Sequence, residues 1–144
     1  MTEKEVFSHK APNYLLCFIN ECPRRASCLR WLVGQELQSN EYNILSVNPM
    51  HPEVKANKCA LYREKKHVRY AKGMMHFYDE MTRSQEIGIK HRLIVHYGRR
   101  QYYEYRRGER LISPEMQAFI GQVCKEHGYT KEPHYDGWQD DYAW

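Results

Sequence analysis

Three of the chain's five cysteines fall within twelve residues, in the stretch LLCFINECPRRASCLRW, and a fourth follows at Cys59. The spacing from Cys17 through Cys22 to Cys28 is C-x4-C-x5-C. A structural zinc takes four nitrogen or sulfur donors in a tetrahedron and favours thiolates. Two ligands from one loop commonly stand as C-x2-C to C-x4-C, so Cys17 and Cys22 meet the open end of that range. Cys28 supplies a third donor and Cys59 closes the set from a distant loop, with His51 as a substitute ligand. Arg24, Arg25 and a helix start near Pro23 would lower the thiol pKa values and offset thiolate charge. An iron–sulfur cluster draws on the same four thiolates. Its plant-type ferredoxin pattern, C-x4-C-x2-C…C, shares the first step with this chain and departs from it at the third cysteine. The plain alternative is that the cysteines are small buried hydrophobes. That fits Cys28 on an apolar helix face, and it is the reading adopted for Cys124, which has no partner near it in sequence.

A second chemistry is offered by RRQYYEYRRGER. If the segment is helical, Arg99, Tyr103, Arg106 and Arg110 lie on one face. Guanidinium forks suit phosphates and tyrosine rings can stack on unpaired bases. With Arg100 and Arg107 added, this makes a candidate DNA- or RNA-binding surface, flanked by helices in the manner of a helix-turn-helix. Against it, the same arginines can pair with Glu104, Glu109 or the acidic tail, and the tyrosines can fill a core. The sequence pI of about 8.8 falls short of a strongly basic nucleic-acid domain. Catalysis is not indicated. The eight histidines form no H-E-x-x-H, and G-x-S-x-G and Gly-rich phosphate loops are missing.

These residues need elements to position them. Residues 1–12 read as a loose lead-in, and 14–18 as a short apolar run. Pro23 suits the first position of a helix running from Arg24 to about Leu37. A strand is expected over 42–47. Val68 and Tyr70 allow another, ahead of Met74, Met75, Phe77 and Tyr78, which read as buried. Thr82-x-x-Gln85 is a capping box opening a helix with the stripe Ile87, Leu93, Ile94, Tyr97, ended by Gly98. The segment from 99 is a helix to Arg107 or a hairpin turning at Gly108. Ser113 and Pro114 open a last helix with the stripe Met116, Phe119, Ile120, Val123.

The chain of 144 residues fits one domain, with a cysteine-clustered part (13–80), a helical part (81–128) and an acidic aromatic tail (129–144). The net charge of +4 is uneven, with eight Lys and Arg against three acids over residues 83–110. Twelve tyrosines and three tryptophans make large rings a main source of burial. No apolar run approaches the ~20 residues of a spanning helix, so no membrane role is expected. The N-terminus lacks the pattern of a secretory signal. The expected compartment is therefore the cytoplasm, where clustered cysteines serve as metal ligands or redox thiols more often than as disulfides.

The combination of Cys17-x4-Cys22-Pro23-x4-Cys28-Leu29-Arg30, a later single cysteine, the Tyr-Tyr-x-Tyr-Arg-Arg-Gly-Glu-Arg segment and Ser-Pro-Glu-Met-Gln resembles an uncharacterised family of short bacterial proteins, a domain of unknown function. The resemblance implies a cytoplasmic bacterial origin and one compact unit, but no substrate or catalytic residue. The expectation is a mainly helical α+β protein, a zinc-stabilised binding or regulatory module with a protein partner. Its alternatives are a nucleic-acid-binding regulator and an iron–sulfur or thiol redox protein.

Overall fold

Thr2 opens the first helix. Its hydroxyl accepts the Glu5 N–H at 3.2 Å, and the Glu5 carboxylate accepts the Thr2 N–H at 2.7 Å. This reciprocal cap starts α1 (Glu3–Lys10) where a loose lead-in is predicted. The computed structural model describes residues 1–55 and 58–144. They form two compact units, Met1–Lys66 with Tyr142–Trp144, and His67–Asp141. The division between them falls at 66/67, and residues 142–144 belong to the first unit. Helix predominates over strand, the α+β composition expected from the patterning.

In the first unit, β1 (Leu15–Leu16) pairs in parallel with β2 (Leu45–Ser46), all that forms of the strand expected over 42–47. Phe7, Tyr14, Leu16, Leu29 and Val33 are buried together, and Tyr142 and Trp144 cover Phe7. The helix predicted from Arg24 is much shorter. A 3-10 turn, Arg25–Ser27, precedes α2 (Leu29–Gly34), and Pro23 lies ahead of both. The cause is pairing with a distant segment. Leu29 N–H donates to Arg63 O at 2.7 Å and Lys65 N–H donates to Ser27 O at 2.8 Å. Cys28 is thereby held extended, at φ −101° and ψ 120°, and stands at the helix N-cap rather than inside the helix. Gly34 is the last residue of α2 and packs closely, since a Cβ there would meet Cys17 O at 3.1 Å and the Phe18 ring at 3.2 Å.

In the second unit, β3 (His67–Lys72) is hydrogen-bonded to β4 (Gly137–Tyr142), whose last residue belongs to the first unit. Three helices follow β3: α3 (Arg83–Tyr97), α4 (Arg99–Arg107) and α5 (Pro114–Glu126). The capping box at Thr82 and the Ser113 cap form as predicted. Ile89 and Leu93 of α3, Tyr102 of α4, and Ile120 and Val123 of α5 share a core with Phe77. Ile87, assigned to the stripe of α3, is instead exposed. Six residues from Leu93, it lies about 120° round the helix, and Ile89 takes its place. Met75 is exposed too, while Met74, Phe77 and Tyr78 are buried as expected. Asp136 fixes that turn, its carboxylate accepting the N–H groups of Met75 and His76 at 2.8 and 3.2 Å. Among the described residues no helix is long and apolar enough to cross a membrane.

Candidate metal centre

The four predicted cysteines come together within the first unit. Cys17 follows β1, and its N–H donates to Arg30 O at 3.0 Å. Cys22 occupies a turn whose carbonyl accepts Arg25 twice, from the backbone N–H at 3.3 Å and from Nη1 at 3.0 Å. Cys28 is fixed by the pairing with residues 63–65, and the Cys59 carbonyl accepts the Tyr62 N–H at 3.2 Å. All four line one cavity of about 170 Å³, and all are free thiols. Cys28 is buried and the other three are half-buried.

The walls bring cations and hydrogen-bonded ties that spacing alone does not reveal. Arg24, Arg25, Arg30 and Lys55 line the cavity, against Glu21 as the acid. The Arg24 guanidinium lies 3.4 Å from the centre of the Tyr62 ring, and the Tyr62 hydroxyl stands 2.8 Å from Ser27 Oγ. Arg30 reaches across the unit, with Nε donating to Leu61 O at 2.6 Å and Nη1 to Leu15 O at 3.1 Å. Its place in the Cys28-Leu29-Arg30 run is the signal that could have marked it. Tyr62 carries no such signal.

Burial pushes the Cys17 thiol above its ordinary pKa. A backbone hydrogen bond from Ile19 pulls the other way, and negative charge on Cys28, Cys22 and Cys59 adds to the rise. The expectation that the arginines lower the thiol pKa values therefore fails for Cys17. Desolvation of the anion and repulsion among neighbouring sulfurs prevail there. Among the described residues, no group of three or more His, Cys, Asp or Glu side chains is placed to hold a metal ion as it stands. The cysteines line a shared cavity without being gathered about one point.

His51 does not join them. It is exposed, its Nδ1 accepts the Glu53 N–H at 3.1 Å, and it lines a separate cavity with Asn48 and Ala60. Cys124 belongs to the core of the second unit, where burial raises its thiol pKa to about 11.

The basic segment is helical. Arg100 and Arg110 both pair with Glu104, at 3.2 and 2.9 Å, and Arg107 grips Glu109 through two bonds of 2.8 and 3.0 Å. Arg106 stands 6.0 Å from the centre of the Tyr78 ring. Tyr103 is half-buried, with Lys90 Nζ 5.6 Å from its ring centre, and Tyr102 is buried with its hydroxyl 2.8 Å from that of Tyr78. Arg99 opens the helix on an exposed turn. Sequence reasoning missed a polar cavity of about 450 Å³ lined by His76, Asp79, Glu80, Lys131 and His134 among others. Its residues are scattered along the chain, and only folding gathers them.

These features define a small α+β protein with a four-cysteine cavity in one unit and a closed apolar core in the other. The chain belongs to a family of unknown function, DUF6078, whose model matches residues 1–144. No curated protein and no solved structure matches it.

Proposed function

We propose that the first unit binds a metal centre through Cys17, Cys22, Cys28 and Cys59, and that this centre stabilises a binding or regulatory module. The observation that carries the reading is that Cys59, from a distant loop, lines the same cavity as the three cysteines of residues 17–28. Free thiols have no structural need to converge, and their mutual charge opposes it once they ionise. The guanidinium groups of Arg24, Arg25 and Arg30 suit a centre made anionic by four thiolates. Zinc is the simplest occupant. It would require the sulfurs to draw in to about 2.3 Å from a single ion, a contraction that the loops carrying Cys22 and Cys59 would have to supply. A protein partner is the counterpart proposed for the module, and the exposed Tyr42, Leu45 and Met50 offer it apolar surface.

Metal analysis of untagged protein purified without oxygen tests the reading. Stoichiometric metal, lost together with folding of the first unit in Cys22→Ser, is the expected result. Stable, folded, metal-free protein that takes up neither zinc nor iron overturns it. The nucleic-acid reading finds less support, since Arg100, Arg107 and Arg110 already face carboxylates. Retention of a duplex or single strand at low salt, weakened in an Arg106→Ala/Arg107→Ala variant, would restore it.

A further inference from the structure

The strand pair of the first unit is unfinished on one side. In a parallel pair, successive residues turn their N–H and C=O groups alternately towards the neighbouring strand and away from it. Leu16 is in register with Ser46, and the Val47 N–H donates to Leu16 O at 2.8 Å, which turns the Ser46 N–H and C=O away from β1. Among the described residues no backbone group meets them there. Parallel strands are normally covered on both faces, and an open edge is a template for a further strand. Leu16 of β1 is buried, whereas both residues of β2 are exposed. The exposure continues beyond the strand. Tyr42 is 100% exposed, Met50 86% and Leu45 63%, with Ile44 beside them, so four large apolar side chains lie open within residues 42–50.

The charge of this stretch indicates what it would take up. Between Arg30 and Lys55 the chain holds Glu36, Glu41 and Glu53 and no lysine or arginine, in a protein of net charge +4. Glu41 and Glu53 are exposed. An apolar surface rimmed by carboxylates fits a segment that carries apolar side chains and cations. A second copy of the chain would bring the same carboxylates together at this edge, and repulsion opposes that pairing. A cavity starts two residues beyond β2, lined by Asn48, Glu53, Val54 and Leu61 among others, where a side chain of an added strand can be seated. We infer that the open edge of β2 takes up an extended, basic and apolar segment of a partner protein as a third strand. Main-chain hydrogen bonds from Ser46 would hold it. Tyr42, Leu45 and Met50 would cover its apolar side chains, and Glu41 and Glu53 would face its lysines or arginines. The inference rests on the binding-module reading above and gives the chemistry of the partner, and it does not depend on the metal.

The test uses full-length protein, with metal content measured on the same sample. The probe is a phage-displayed library of short random peptides, selected on the immobilised protein. Enrichment of sequences in which apolar residues alternate with lysine or arginine is the expected result. A synthetic copy of the enriched peptide should shift amide signals over residues 42–54 and bind more weakly as salt rises. Its affinity should fall at least about tenfold in Leu45→Asp and in Ser46→Pro, which removes the outward N–H. N-methylating alternate amides of the peptide should weaken it likewise, so the result stands if Ser46→Pro fails to fold. Enrichment of acidic or helix-patterned sequences, binding indifferent to Leu45→Asp and to N-methylation, or no enrichment on folded protein would each overturn the inference. Self-association abolished by Leu45→Asp would put a second copy on this edge and overturn it too. Failure on metal-loaded protein would leave the metal centre standing. Success on folded protein that takes up no metal would leave this surface standing and remove the metal centre.

Discussion

The two units solve the problem of stability differently. The second is organised by burial. Tyr102, Phe77, Met74, Ile89, Leu93, Ile112, Ile120 and Val123 are all nearly inaccessible, and they come from capped helices and the turns between them. The first has two-residue strands, helices of eight and six residues and a smaller buried cluster. Its chain between Cys17 and Tyr62 is held largely by turns and by single ties such as Arg30 to Leu61 and Leu29 to Arg63. Where an apolar core is small, a metal can supply the missing free energy. The comparison teaches where a metal centre would matter to folding: in the unit with little regular structure.

Metal removal should separate the two units most sharply. Chelation, or Cys22→Ser, is expected to abolish amide-exchange protection over residues 15–66 while leaving α3 and α5 protected, because a structural metal contributes on the order of 10 kcal/mol. Equal loss in both units would break the comparison. The reciprocal experiment is Phe77→Ala. Phe77 is buried among Tyr78, Tyr135 and the helices, and its truncation should destabilise the second unit by about 3–5 kcal/mol in denaturant unfolding. The metal content should not change.

Smaller effects test how the elements are terminated. Asp136→Ala strips acceptors from the Met75 and His76 N–H groups. A loss of about 1–3 kcal/mol is expected, readable as a lower midpoint with an unchanged denaturant slope. Thr82→Ala removes the hydroxyl that accepts the Gln85 N–H and should cost about 1 kcal/mol. Thr82→Ser should restore it.

The legibility of the two units in the sequence follows the same divide. Local signals located α3 and α5, since Thr82-x-x-Gln85 and Ser113-Pro114 act within one turn of the chain. The same kind of signal, Thr2-x-x-Glu5, marked α1 and was passed over. Around the cysteines, structure is set at long range. Cys28 is extended because residues 63–65 pair beside it, and no window around Pro23 contains that information. Spacing singled out the four cysteines as a group, and the structure places all four along one cavity. The cavity's size, the place of Tyr62 and the exclusion of His51 were not legible, because they depend on which loops meet.

The mildest way to sharpen the contrast is alkaline titration. In the second unit, burial raises the Cys124 thiol to about 11, and burial with the neighbouring Tyr105 raises the Tyr97 phenol to about 12. Burial also raises Tyr78 and Tyr135. A group whose folded pKa lies above its unfolded value stabilises the fold fully below the unfolded value, and that contribution is lost as pH rises through the folded one. Unfolding free energy of this unit should therefore hold steady through neutral pH and decline from the ordinary thiol value of 9.0 up towards about 12. The metal site proposed for the first unit would run the other way. The proposed ligands would have to be deprotonated, so metal would be released as pH falls, and the burial that raises the Cys17 thiol acts in the same direction. Acid should thus unfold the first unit by metal loss under conditions in which Cys124 and the tyrosines of the second remain neutral. Exchange protection followed residue by residue from neutral to acid pH measures this directly. Loss of protection over 15–66 with metal release, ahead of any change over 83–126, is the expected order. The reverse order would show that the first unit's stability does not come from its cysteines.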